Sequence, residues 1–224
     1  LHASLAPSEM CIRDSIETLY NRIDVEAVQA EQVSREDARE HLGLPLDAWV
    51  VGNVGRLHPD KDQATLIRGF ALALPQLPAG SLLAIMGSGR LEAELKALAV
   101  ELGVSDAVRF LGQVPNGRRY FKAFDVFALT SDHEPFGMVL LESMAAGVPV
   151  IASDCGGAPE VIGAAGSVFP LHDEQALAVA LHRGGGNGLD ERVWESLRSR
   201  FSDEAAKRRF TELPLLASGL RGEK

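Results

Sequence analysis

Six short apolar runs, at residues 49–57, 81–86, 108–114, 126–131, 148–153 and 166–170, alternate with helix-patterned stretches at 61–74, 91–102, 137–146, 158–162 and 173–183. Few folds accept that rhythm. The runs are near-continuously apolar instead of alternating, as strands covered on both faces should be. Strands that never meet through a tight hairpin must be joined by crossovers, and the intervening helices supply them. The expected fold class is therefore α/β, a doubly wound, Rossmann-like parallel sheet. In such sheets ligands lie beyond the C-terminal ends of the strands. The polar candidates fall there: Arg56, Gly87-Ser88-Gly89, Gln113, Asp132-His133-Glu134 and Asp154.

The flanks read less regularly. Residues 1–15 start without Met and show no periodicity. Ser8-Glu-Met-Cys-Ile-Arg-Asp-Ser15 looks like a translated sequencing-adapter remnant, so residues 1–15 are expected to be a non-native or disordered lead. Residues 16–183 are expected to form one Rossmann-like domain. Within it, residues 18–24 read as a short β piece, and Ser34 caps a helix over 34–42 with Asp37 as acidic partner and Gly43 as stop. Residues 116–123 read as a short helix or turn. Residues 184–224 are expected to be a glycine break, Gly184-Gly-Gly-Asn-Gly188, then amphipathic helices over 190–200 and 202–212 packed through Phe201 and Phe210. The apolar segment 213–220 is expected to dock on a partner surface.

Composition excludes several classes of function. Net charge is 22 − 31 = −9 with no dense basic stripe, which argues against a nucleic-acid face. No apolar run approaches the ~18 residues of a membrane span, and no secretory signal pattern is present. Cys11 and Cys155 lack metal-ligand spacing. The expected setting is cytoplasmic, at the inner face of the cytoplasmic membrane at most, with peripheral contact only.

The chemistry concentrates in Glu134-Pro-Phe-Gly-Met-Val-Leu-Leu-Glu142. A helix starting near Gly137 offers free backbone N–H groups and a positive dipole end, which suit a phosphate. Glu142 lies roughly 7–8 Å further along the axis, about the distance from a diphosphate to the ribose of one nucleotide. Two carboxylates also suggest a glycoside hydrolase, but their bracketing of a helix N-terminus fits ligand holding better. Gly52-Asn-Val-Gly55-Arg56-Leu57 ends a strand, where glycines permit close backbone approach. Arg56 and Lys61 are two cations suited to a diphosphate, one a planar fork and one a point charge. Gly87-Ser-Gly89 lacks the third glycine of a dinucleotide fingerprint, since Glu92 stands there; it is either a tight turn or room for a base or phosphate. A lone His133 is more often structural than catalytic, Cys155 reads as a structural thiol, and Glu160 is either solvated or functional.

In this order these segments resemble the C-terminal, donor-binding domain of retaining GT-B glycosyltransferases of family 4. The resemblance rests on Gly52-Asn-Val-Gly-Arg-Leu57 with Lys61, Met86-Gly-Ser-Gly89, Val108-Arg-Phe-Leu-Gly112, Ser131 through Glu142, Ala145-Ala-Gly-Val-Pro-Val150 and Cys155-Gly-Gly-Ala-Pro-Glu160. It covers about residues 18–183. Tyr20-Asn-Arg-Ile-Asp24 is similar to the family's Asn-Gly-Ile-Asp segment, with Arg22 in place of glycine.

The resemblance implies that Arg56, Lys61 and Glu134 are catalytic, the cations on the donor diphosphate and Glu134 on the donor sugar. It implies backbone contacts from Phe136, Gly137, Met138 and Val139, ribose contacts from Glu142, and Gln113 and Val114 beside the base. Gly55, Gly87, Gly89 and His133 complete the expected donor set. The implied substrate is a UDP- or GDP-sugar, without metal or other cofactor. The implied partners are an N-terminal acceptor-binding domain beyond this chain and a glycan or lipid-linked acceptor in envelope polysaccharide or lipopolysaccharide synthesis. A non-catalytic nucleotide-sugar-binding module and a GT-B-like nucleotide-sugar epimerase are the alternatives.

Overall fold

The computed structural model describes residues 19–184, 189 and 191–212. The expected lead (1–15), most of the glycine break (185–188) and the docking segment (213–220) lie outside the described residues.

Six parallel strands form one sheet: β1 (Val50–Val54), β2 (Leu82–Met86), β3 (Val108–Gly112), β4 (Val126–Leu129), β5 (Val150–Ser153) and β6 (Gly166–Phe169). Their order is β3-β2-β1-β4-β5-β6. The chain winds outward from β1 in one direction, then crosses back to start β4 on its other side. This reversal places a crevice at the C-terminal ends of β1 and β4. Successive residues of a strand face opposite sides. Accordingly Leu82, Ala84 and Met86 enter one core while Leu83 and Ile85 enter the other. The inner strands are buried throughout, apart from partly covered Val54. The edge strands β3 and β6 are not, which corrects the expectation of full two-sided cover: an edge has no neighbour to close it.

The helices divide between the faces. On one side lie α3 (Gln63–Ala73), α4 (Glu92–Glu101) and α7 (Glu174–His182), with α3 packed closely on α7. Gly69 permits this contact, since a Cβ there would meet the Leu177 side chain at 2.7 Å. On the other side lie α1 (Val25–Glu31), α2 (Arg35–Leu42), α5 (Met138–Ala145), α6 (Ala158–Ile162) and α8 (Glu191–Phe201), followed by α9 (Asp203–Thr211). Ser34 caps α2 by accepting from the Asp37 N–H, and Gly43 closes it in the left-handed region.

Three expectations are corrected. Residues 19–24 form no strand; Asp24 instead accepts from the Ala27 N–H and starts α1, a helix the sequence reading missed. Phe210 is half exposed and does not pack the core, whereas Phe201 is buried. Gly52 leaves room not for a ligand but for the Phe124 ring, which a Cβ would meet at 2.2 Å.

A charged network braces the base of the sheet. Arg39 is fully buried. It donates to Asp125 Oδ2 at 2.9 Å and to the carbonyls of Ala123, Pro45 and Leu46. Asp125 also accepts from Arg35 and from the Val50 N–H that opens β1. Burial lowers the Arg39 pKa, opposed by Asp125.

Candidate functional site

Two loops leave the crevice strands side by side. The first runs from Gly55 after β1 through a 3₁₀ turn, Pro59–Lys61, into α3. The second runs from Thr130 after β4 to Gly137, where α5 begins. They are stitched together by backbone. The Asp132 and His133 N–H groups both donate to the Asp60 carbonyl, at 3.1 and 3.3 Å. The Thr130 hydroxyl, almost fully buried, donates to the carbonyls of Lys61 and Asp62. Ordered backbone between the loops fixes where their side chains can reach.

Lys61 and Glu134 meet across this seam, Nζ to Oε2 at 2.7 Å, with side chains 22% and 11% exposed. The Ser131 hydroxyl also donates to Glu134 Oε2. A third loop supports the second from below. The Gly157 N–H donates to the Glu134 carbonyl at 3.1 Å, the Cys155 thiol to the Asp132 carbonyl at 2.9 Å, and the Ser153 hydroxyl to the Ser131 carbonyl at 2.6 Å. Gly156 sits at φ +53°, and a Cβ there would lie 2.0 Å from the Glu134 carbonyl oxygen. Gly156→Ala is therefore expected to cost about 1–3 kcal/mol and to displace Glu134. Urea unfolding of the variant measures the first effect.

Arg56 is exposed at the crevice. Its carbonyl is held by Gln63 Nε2 at 2.9 Å, while among the described residues its guanidinium makes neither a hydrogen bond nor an ion pair. The Gly87-Ser-Gly89 turn backs this loop. Gly55 and Leu57 N–H groups donate to the Met86 and Ser88 carbonyls. A Cβ on Gly87 or Gly89 would lie 1.9 Å from the Gly55 carbonyl or 2.3 Å from that of Leu57. Both glycines thus serve contact between two backbones, and a Cβ at Gly55 would meet only Lys61 and Gln63 side-chain atoms at ordinary range.

Gly137 caps α5 with φ +96° and no side-chain hydrogen bond. The Met138 and Val139 N–H groups belong to the first turn of the helix, where no preceding turn can accept from them. Phe136 is held otherwise: its ring lies 6.0 Å from Tyr20 and 5.8 Å from Phe201. Tyr20 also donates to Glu160. This aromatic cluster clamps the loop from behind, leaving Phe136 only its backbone for the crevice. His133 is exposed and its ring makes no hydrogen bond among the described residues.

Glu142 lies one turn into α5, about 6 Å from Met138 at 1.5 Å per residue. Its carboxylate is half-buried yet makes neither a hydrogen bond nor an ion pair among the described residues. Burial pushes its pKa up; nearby Arg118 pulls it down and Glu31 pushes it further up. Such a group wants a donor the protein does not supply. Beyond it stands a cleft lined by Glu31, Asn116, Gly117, Arg118 and Arg119. Gln113, exposed, and Val114, half-buried, follow β3 beside it. The sequence reading missed Glu31 and Arg118, which lie 87 residues apart; nothing local links them. Among the described residues, no three His, Cys, Asp or Glu side chains are grouped to hold a metal.

The profile of the family described as glycosyl transferases group 1 matches residues 34–207. The chain is 37% identical over 187 residues to the lipopolysaccharide core biosynthesis glycosyltransferase LpsE of Rhizobium meliloti, covering 80% of this chain and 53% of that protein. It is 35% identical over 184 residues to the D-inositol 3-phosphate glycosyltransferase of Saccharomonospora viridis, covering 76% of this chain and 42% of that one. It thus spans about half the length of these curated relatives. Among solved structures, Anabaena HepE in complex with UDP superposes with a TM-score of 0.73 at 26% identity, covering 90% of this chain and 57% of that chain.

Proposed function

The chain belongs to the glycosyl transferases group 1 family, and we propose that it forms the donor-binding half of a retaining GT-B glycosyltransferase that uses a nucleoside-diphosphate sugar. One observation carries the reading. Two cations follow the C-terminal end of β1, and next to it, after β4, a helix starts with free N–H groups and carries an unpartnered half-buried carboxylate one turn on, about 6 Å along the axis. The UDP found in a solved relative supports the ligand class.

In this reading the ribose hydroxyls donate to Glu142. The diphosphate lies over Met138 and Val139, and Arg56 and Lys61 neutralise it. When the bond from the sugar to the diphosphate breaks, its electron pair stays on the phosphate oxygen, and those cations stabilise the developing charge without a metal. Glu134, held by Lys61 and Ser131, faces the sugar. A second α/β domain outside these residues holds a glycan or lipid-linked acceptor, envelope or lipopolysaccharide glycan being the class the relatives' names support. In this reading the setting is cytoplasmic. Separately, no helix among the described residues is long and apolar enough to cross a membrane. Calorimetry with UDP and GDP tests the reading. Saturable binding of one of them is expected, and heat-silent titrations with both would remove it. Nucleotide-sugar transfer by the 224 residues alone would instead overturn the need for a second domain.

Glu142→Gln separates binding from folding. The folded carboxyl holds its proton more tightly than the unfolded one, because its pKa is raised. Its contribution to stability therefore declines as pH rises from the ordinary carboxyl range through the raised value. At neutral pH the variant should unfold at higher urea than the parent, with a flatter pH dependence across that window. It should bind UDP or GDP about tenfold more weakly, a charge-assisted hydrogen bond being lost. Parent affinity should fall as pH drops through the same window.

A further inference from the structure

Among the described residues only three that are not glycine have a positive φ: Asp62 at +41°, Asn116 at +53° and His172 at +59°. Two of them are bonded to each other. His172 Nδ1 lies 2.8 Å from Asp62 Oδ2. An ionised carboxylate only accepts, so Nδ1 is the donor. Each side of this bond is anchored. His172 is the third residue of a turn closed by the Asp173 N–H on the Pro170 carbonyl at 3.1 Å, a place where positive φ ordinarily selects glycine or asparagine. Asp173 then caps α7 by accepting from the Ala176 N–H, and α7 packs closely on α3. Asp62 directly follows Lys61 and caps α3, its Oδ1 accepting from the Thr65 N–H at 3.2 Å. The Asp62 side chain is 15% exposed.

We propose that His172 is a positioning residue for Lys61, acting through Asp62. The inference rests on Lys61 meeting the donor diphosphate. A left-handed backbone is uphill for a residue with a Cβ, and it persists only where the surroundings hold it. The Asp62 backbone is held by the Thr130 hydroxyl on its carbonyl and by its own N–H on the Pro59 carbonyl. Its side chain is held by the Thr65 N–H and by His172. Without the imidazole, one carboxylate oxygen loses its donor and residue 62 is freer to relax toward negative φ. α3 cannot follow that rotation, because Leu66, Ile67 and Phe70 seat it in the core at 0% exposure. The change therefore falls on the other side, on the 3₁₀ turn that ends at Lys61. Turning that backbone moves Lys61 Nζ away from its place beside Glu134. The role needs no contact between His172 and the donor.

Glycine and asparagine both accept the backbone of residue 172, and they differ in one respect. Asparagine keeps a donor on the γ carbon, where the histidine carries Nδ1, and glycine keeps none. The variants should fold, the His172 side chain being 57% exposed. Titrate the chain, His172→Gly, His172→Asn, Asp62→Gly, the double variant Asp62→Gly with His172→Gly, and Lys61→Ala. The probes are UDP and GDP, and uridine and guanosine. His172→Gly is expected to weaken UDP or GDP about three- to tenfold and to leave the nucleosides unchanged. His172→Asn should bind the diphosphates within about twofold of the parent. Glycine at position 62 adopts the left-handed backbone unaided. Adding His172→Gly to Asp62→Gly should therefore change affinity by less than about twofold. Parental diphosphate affinity in His172→Gly, a loss shared by the nucleosides, an equal loss in His172→Asn, or a loss that persists in full beside Asp62→Gly overturns the proposal alone. If Lys61→Ala binds UDP and GDP as the parent does, or the parent binds neither, the donor reading of Lys61 fails first and takes this inference with it.

Discussion

Arg39→Ala is expected to lower the unfolding free energy by about 3–5 kcal/mol, the usual result of breaking a buried ion pair from one side. The guanidinium is fully buried and satisfies three carbonyls as well as Asp125. Alanine would leave those acceptors without donors and a cavity behind them. Asp125 would keep Arg35 and the Val50 N–H, which limits the loss but not the burial of its charge. Arg39→Met should cost less, because it fills the volume. A loss of this size is a large part of the total stability of an ordinary domain. Urea unfolding read by circular dichroism gives the number; a change below about 1 kcal/mol would show that the network behaves as a surface pair.

Arg56→Ala should have the largest effect on binding. A charge-assisted contact to phosphate is worth about 1.5–3 kcal/mol, so UDP or GDP affinity should fall roughly 10- to 150-fold. Uridine or guanosine, lacking phosphate, should bind as before. Arg56→Lys should recover part of the loss, since the charge returns without the planar fork. The structure makes Arg56 the better target than Lys61. Its guanidinium makes neither a hydrogen bond nor an ion pair among the described residues, whereas Lys61 already holds Glu134 at 2.7 Å. Lys61→Ala would unpair a half-buried carboxylate and confuse a binding effect with a structural one. An equal loss of affinity for nucleoside and nucleoside diphosphate would place Arg56 away from the phosphates.

The outline of the site could be read from the chain because its parts are local. Glu134, Gly137 and Glu142 lie within one loop-to-helix segment, so strand, turn and helix spacing already put them in order. Arg56 and Lys61 follow one strand end in the same way. The residues that escaped notice are those with distant partners. Arg39 finds Asp125 86 residues away, and Glu31 finds Arg118 87 away. α1 escaped for another reason: it is a seven-residue helix, too short for a clear period, and only its Asp24 cap signalled it. Phe136 was legible as a loop residue, but not as the partner of Tyr20 and Phe201.

By itself the sequence determined the layered α/β sheet, the order along the chain of its six strands and the helices that join them, and the two carboxylates of the crevice segment. These follow from periodicity, capping and glycine placement, which act over a few residues. Only the tertiary structure decided the strand order in space, the assignment of Gly52 to Phe124 and of Gly87 and Gly89 to the Gly55–Leu57 backbone, and the pairing of Lys61 with Glu134. Each of those depends on which segments become neighbours when two cores close on opposite faces of one sheet, and no short stretch of chain carries that information.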